Sequence, residues 1–315
     1  MSVASFVMDL LVLTKYRITA VALFTGYTAV ALHGQHATDF GYLWPLLVSL
    51  FLVGGSANTL NQIFELEKDA KMERTKARRP LPSGRITVPQ AYAFSIIQAL
   101  TAAGLLWWGY HSLLAIGLAL FTIIYYSFFY TLFLKPRHWL NIVIGGVPGA
   151  MGPLIAWAAV ANEITAEPLV LFMIIFLWTP PHVWALAIKL KDDYAKAGIP
   201  MLPVVKGVDE TTRQIFWYTV VMVIGTLALP ACTASLWPVW ERSPLYTALA
   251  VVLGGVFLAW SWILWRRRPI LPTMPLFRFS IVYVSVLFLA LIIDASASSH
   301  HAAPSVPVPV QGQSR

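Results

Sequence analysis

Asn61, Glu65 and Asp69 stand four residues apart, and each carries a side-chain oxygen. On a continuous helix a step of four advances ~40° about the axis and ~6 Å along it, so the three share one face within an ~80° arc. Hard oxygen ligands suit Mg²⁺, which is commonly held by one or two carboxylates together with substrate phosphates. Just downstream, Arg74, Arg78, Arg79 and Arg85 supply guanidinium groups whose planar donors match a diphosphate. The plainer alternative is a solvated helix end with local ion pairs, such as Glu65 with Lys68. An acidic face this close to an apolar segment is expensive without a use.

A second cluster follows Thr179-Pro180-Pro181, where the missing N–H groups kink or restart a helix. Steps of seven and four place His182, Lys189 and Asp193 on one helical face, with Asp192 turned ~100° away. His182 reads equally as a hydrogen-bonded core residue or as a functional one. Asp193 is the better candidate of the two aspartates. A third segment, Asn141 to Pro153, holds Gly145, Gly146, Gly149 and Gly152. Small residues at that density allow close helix contact or room for a bulky ligand.

The elements that must position these groups are set by composition. Of 315 residues 58 % are apolar and only 11 % charged, less than half the share of charge in soluble domains. No soluble core of this size hides so much apolar surface, and disorder requires the opposite composition. The chain therefore reads as an all-α polytopic membrane protein. Segments near 18–33, 43–63, 91–110, 112–133, 139–160, 168–188, 215–236, 245–265 and 279–295 are long and apolar enough to span a bilayer core of ~30 Å. They are continuous and do not alternate, which argues against strands. Residues 1–295 form one membrane domain, and the Ser-, Pro- and Ala-rich stretch 296–315 is expected to be a disordered tail. Met1 to Leu13 lacks a basic n-region and reads as an interfacial helix, not a cleaved signal. Cys232 is alone and excludes an intramolecular disulfide.

With the N-terminus inside, 20 of the 22 Lys and Arg residues fall in cytoplasmic segments, leaving Arg242 and Arg315 outside. The same inner loops hold most of the acidic residues. A topology signal needs only Lys and Arg, so mixed charge at the ends of the second and sixth spans marks a site for a metal and an anion. The net charge of +8 is then a matter of orientation and of anion binding, not of nucleic acid. A transporter would carry its charges near the midplane and in repeated halves; here they lie at one face and the Asn61 motif has no second copy.

Together these residues resemble the UbiA superfamily of intramembrane prenyltransferases. The motif Asn-x-x-x-Asp-x-x-x-Asp followed by Arg-Thr, Arg-Pro-Leu and Ser-Gly-Arg stands here as Asn61, Glu65, Asp69, Arg74-Thr75, Arg79-Pro80-Leu81 and Ser83-Gly84-Arg85. Within the superfamily, the segments Leu13 to Arg17, Asn141 to Gly146, Trp178 to Leu186 and Asp193 to Pro203 look like the branch with a heme acceptor, and not those acting on quinone rings or chlorophyllide. Glu65 replaces the commoner Asp, and the Arg74–Arg79 stretch is one residue longer than usual, which leaves the roles of Arg78 and Arg79 interchangeable. The resemblance implies a nine-helix bundle around a central cavity in the cell inner membrane. It implies farnesyl diphosphate and heme b as substrates and Mg²⁺ as cofactor. Asn61, Glu65 and Asp69 would hold the metal, and Arg74, Arg78 or Arg79 and Lys189 the diphosphate. Asp193 would hold a second Mg²⁺ or orient Lys189, and His182 would ligate or orient the heme or position a water. A heme A synthase would be the downstream partner.

Overall fold

The computed structural model describes residues 2–34, 36–232, 244–267 and 273–301. Among them the regular secondary structure is all helical. A short apolar helix α1 (Val3–Leu13) leads into α2 (Tyr16–His33) and α3 (Phe40–Phe64). Two short helices, α4 (Leu66–Lys71) and α5 (Glu73–Lys76), precede α6 (Val88–Tyr110) and α7 (Leu113–Ile124), which passes into a π-helical turn, Tyr125–Leu134. Short helices α8 (Asn141–Ile144) and α9 (Val147–Ala150) then lead to α10 (Gly152–Ala161) and α11 (Ala166–Lys189). The chain closes with α12 (Lys191–Lys196), α13 (Leu202–Val205), α14 (Gly207–Cys232), α15 (Pro244–Arg267) and α16 (Thr273–His301).

Eight of these segments are long and apolar enough to cross a membrane. The ninth expected span corresponds to α2, an 18-residue helix that falls short of the other eight in apolarity, carrying Arg17 and His33 near its ends and Thr19, Thr25 and Thr28 on its buried side. It packs between α10, α3 and α16. The expected break between the third and fourth spans is real: His111 takes a left-handed φ of 49° and the Ser112 hydroxyl caps α7. The tail boundary moves, since α16 continues to His301 past the expected limit at Ser296; residues 302–315 lie outside the described part.

The bundle is apolar on both sides, as a lipid-facing protein must be. Ile97, Trp108 and Val252 are about 60 % exposed, so their burial requires lipid. Inside, Ala, Leu and aromatic side chains form one continuous core through the long helices. Within the glycine-rich third segment, Gly145 and Gly152 serve close packing, whereas a Cβ on Gly149 would meet nothing within 4 Å. A Cβ on Gly145 would strike the Tyr130 ring, and one on Gly152 would sit 2.7 Å from the Ala22 carbonyl.

Polar contacts inside the bundle set the site's position. Gln62 Nε2 donates to the Leu13 carbonyl at 2.8 Å, and Asn58 Nδ2 to the Thr14 carbonyl at 3.2 Å. These bonds pin the α1–α2 turn against α3. Lys15 sits in that turn with φ 49°, a left-handed conformation that a long side chain adopts only when its surroundings enforce it.

Candidate active site

The three oxygen-bearing residues do meet in one pocket, though not on one helix. The α3 helix stops at Phe64, and Glu65 (φ −99°, ψ 6°) forms a break before α4. The expected continuous face is thus corrected to a helix–break–helix. The i to i+4 spacing survives because Glu65 N still bonds the Asn61 carbonyl at 3.0 Å and Asp69 N the Glu65 carbonyl at 2.8 Å. Asn61, Glu65 and Asp69 are each at most 5 % exposed. They line a cavity of about 130 Å³ with Lys15, Lys68, Arg79, Lys135, Tyr126 and Tyr194.

Each oxygen faces its own cation. Lys15 Nζ donates to Asn61 Oδ1 at 2.7 Å, Lys135 pairs with Glu65 and Arg79 with Asp69. In place of the local Glu65–Lys68 pair of the plainer alternative, Glu65 pairs with a lysine 70 residues away, because the break turns its carboxylate toward the end of the π-helical segment. Asn61 Nδ2 donates to Thr131 Oγ1 at 3.0 Å, which fixes which end of the amide is the acceptor.

Burial and charge compete at these groups. Burial alone would raise the Glu65 carboxyl, but Lys135 and Lys15 outweigh it and hold it below its usual value. Burial raises Asp69, and Arg79 only partly offsets this. For Lys135, burial is outweighed by Glu65 and the ammonium is raised. For Lys15 burial prevails, reinforced by the nearby Arg79 charge, and its pKa falls to about 7.

With all groups ionised the pocket holds four cations against two carboxylates. That surplus suits a polyanion better than a metal ion alone. Two carboxylates and an amide oxygen fit Mg²⁺ if substrate phosphates complete its shell. No cluster of three His, Cys, Asp or Glu is found among the described residues, so a purely protein-built metal cage is not what this site offers.

Arg79 enters the site through a tethered loop. Arg85 Nε donates to both oxygens of Asp9 at 3.0 and 3.1 Å, and its other nitrogens donate to the Ala77 and Arg78 carbonyls. Asp9 on α1 is buried. Arg79 thus joins the pocket while the Arg78 side chain stays exposed. The side chain of Arg74 lies outside the described residues.

The second cluster is placed differently. The α11 helix ends at Lys189 and resumes as α12 after Leu190, so the single face expected for His182, Lys189 and Asp193 is interrupted. Lys189 and Asp192 are exposed and Asp193 half-buried; none of them lines the cavity, which Tyr194 and Ile199 reach instead. His182 binds α16, with Nδ1 2.7 Å from Ser280 Oγ.

Sequence reasoning missed Lys15 and Lys135 as site residues, reading both as markers of orientation. The Leu13–Arg17 segment was the available signal for Lys15. Nothing local signalled Lys135. It is delivered by the π-helical turn, where its N–H bonds the Tyr130 carbonyl five residues back at 2.8 Å. That extra residue per turn also brings Tyr126 to the pocket and Thr131 to Asn61.

An apolar helical bundle with an oxygen-and-cation pocket at the helix ends is the architecture of an intramembrane prenyltransferase. The chain belongs to the UbiA prenyltransferase family, whose model matches residues 22–292. It is 43 % identical over 292 residues to the protoheme IX farnesyltransferase of Erythrobacter litoralis, covering 91 % of this chain and 92 % of that one. The enzyme of the same name from Trichormus variabilis is 41 % identical over 295 residues, covering 92 % and 89 %. Among solved structures, a digeranylgeranylglyceryl phosphate synthase superposes with a TM-score of 0.73 at 20 % identity, over 92 % of this chain and 98 % of that one. A UbiA homolog from Archaeoglobus fulgidus bound to GPP and Mg²⁺ superposes with a TM-score of 0.57 at 15 % identity, over 90 % and 99 %. These two share the fold.

Proposed function

We propose that this protein transfers the farnesyl group of farnesyl diphosphate to a vinyl group of heme b, with addition of water, yielding heme O and diphosphate. The observation that carries the reading is the meeting of Asn61, Glu65 and Asp69 with Lys15, Arg79 and Lys135 in one pocket, in a chain about 40 % identical to relatives bearing that activity in their names.

Arg79, Lys15 and Lys135 neutralise the diphosphate as the allylic C–O bond breaks and its electron pair leaves with the phosphate oxygen. Their charges are already in place and need no reorganisation at that moment. Asn61, Glu65 and Asp69 would hold Mg²⁺, which supplies further charge stabilisation to the leaving group. Arg79 and Lys135 keep those carboxylates oriented until substrate arrives. The apolar interior excludes water from the farnesyl cation, and aromatic faces such as Tyr126 stabilise it. The vinyl π-pair forms the new C–C bond. Water then adds to the resulting cation and releases one proton, leaving a hydroxyethylfarnesyl substituent.

In this reading the pocket opens to the cytoplasm, the orientation favoured by the Lys and Arg distribution, and the membrane is the cell inner membrane. Lys189, at the end of α11, and Asp193, on α12, remain the further candidates for binding the diphosphate and its metal. A heme A synthase is the proposed recipient of the product. The test is incubation of purified protein with heme b, farnesyl diphosphate and Mg²⁺, with product identified by chromatography and mass. Heme O forming with Mg²⁺ and not after chelation is the expected result. A folded sample that makes no heme O with Mg²⁺ present refutes the proposal.

A further inference from the structure

Thr131 belongs to none of the site motifs read from the sequence, yet the Asn61 side chain is set against it. Thr131 is 3 % exposed and Asn61 1 %. The Thr131 hydroxyl lies 2.7 Å from the Tyr126 carbonyl, five residues back, and 3.0 Å from Asn61 Nδ2. A carbonyl only accepts, so the one hydroxyl proton goes to Tyr126, and toward Asn61 the Thr131 oxygen is an acceptor. The other end of the amide agrees, since the Lys15 ammonium donates to Asn61 Oδ1 at 2.7 Å.

The π-helical turn shapes this lock. Thr59 and Thr122, on regular helices, bond the carbonyl four residues back, at 2.8 and 2.7 Å. Thr131 bonds the fifth, because the turn Tyr125–Leu134 carries an extra residue. The turn that delivers Lys135 to the pocket thus also supplies the acceptor for Asn61. That acceptor matters because the two ends of an amide are nearly equal in size, so packing alone does not choose between them, while one end accepts and the other donates. Turned over, Asn61 would present N–H donors to a pocket that already holds Lys15, Lys68, Arg79 and Lys135. A metal ion takes the oxygen end. Lys15 selects that end only while it stays on Asn61; once it serves the diphosphate, the choice rests with Thr131.

We infer that Thr131 is a positioning residue of the pocket: held by the Tyr126 carbonyl, its hydroxyl keeps the Asn61 amide turned with Oδ1 into the site and Nδ2 away from it. The inference rests on Asn61 holding metal together with a diphosphate, as proposed above. Thr131 does not line the cavity; it acts through Asn61, as the hydrogen-bonded partners of metal ligands do.

The test measures protein-bound Mn²⁺ by electron paramagnetic resonance, with inorganic pyrophosphate and the full-length protein in detergent. Mn²⁺ takes the same hard oxygen ligands as Mg²⁺, and no turnover is involved. Thr131→Val keeps the shape but removes the acceptor, and is expected to weaken Mn²⁺ binding by about tenfold or more, the scale on which such partners act. Thr131→Ser keeps the hydroxyl and is expected to stay within about twofold of wild type. In an Asn61→Asp background both ends of the side chain are oxygens, so Thr131→Val is expected to cost nothing further. A Thr131→Val protein that binds Mn²⁺ as wild type does overturns the inference. So does an equal loss in the Asn61→Asp background, which would mark a merely structural role, and so does an Asn61→Asp protein or a wild type that binds no Mn²⁺ with pyrophosphate. If Thr131→Val fails to fold, Thr131→Cys, whose thiol accepts weakly, is expected to bind less Mn²⁺ than Thr131→Ser, and equality of the two overturns the inference. If the variants refute the role of Thr131 while the wild type makes heme O, the proposed function stands. If they behave as expected while the wild type makes no heme O, the function falls and the role of Thr131 is kept.

Discussion

Replacing Lys135 by Met tests the pocket's electrostatics most directly. The side chain is of similar length, so packing against the Tyr130 ring, now 6.0 Å from the ammonium, is largely kept while the charge is lost. Glu65 is 5 % exposed and would retain only the more distant Lys15 and Arg79. Breaking one partner of a buried ion pair costs about 3–5 kcal/mol, whereas replacing both partners by neutral groups is often close to neutral. For a chain of this size 1 kcal/mol corresponds to ~2–4 °C. Lys135→Met is therefore expected to lower the melting temperature in detergent by at least roughly 6 °C, and the double variant Glu65→Gln/Lys135→Met to recover most of that loss. Both should be inactive in farnesyl transfer, the first for want of a cation on the diphosphate and the second for want of a metal ligand as well. The assay is a double-mutant cycle by thermal unfolding with product formation measured alongside. Single variants as stable as wild type, or a double variant no better than Lys135→Met, would refute the claim that this pair carries the pocket's charge balance.

Other consequences are equally open to measurement. Arg85→Met and Asp9→Asn each cut the tether between α1 and the Arg79 loop, so the KM for farnesyl diphosphate should rise about tenfold, an energy of ~1.4 kcal/mol typical of a charge-assisted bond; an unchanged KM in both removes the tether from the account. Lys15 has a pKa of about 7 in the free protein, so it is charged below that value and increasingly neutral above it. Affinity for farnesyl diphosphate should fall as pH rises from 7 to 8, by up to about tenfold, and Lys15→Arg should flatten this dependence. The same slope in Lys15→Arg would assign it to another group. Asp193→Asn is expected to reduce turnover far more than Asp192→Asn, since only Asp193 is partly buried; equal losses would reject the distinction.

The membrane class, the span positions and the oxygen motif were all legible before any coordinates, because they depend on local composition and on spacing along one segment. Apolar runs of bilayer length announce themselves, and residues four apart stay neighbours even across the Glu65 break, since the backbone bonds from Glu65 and Asp69 continue the helical spacing. The cations were legible as charges but not as partners. That Glu65 would meet Lys135 and Asn61 would meet Lys15 depended on packing α2, α3 and the end of α7 together. It also depended on two backbone departures, the left-handed Lys15 and the π-helical turn ending at Leu134, which no periodicity of 3.6 encodes. His182 repeats the lesson. Its type and its place after Pro181 were visible in one dimension, but its hydrogen-bond partner Ser280 stands 98 residues away, and only the packing of α11 against α16 brings the two together.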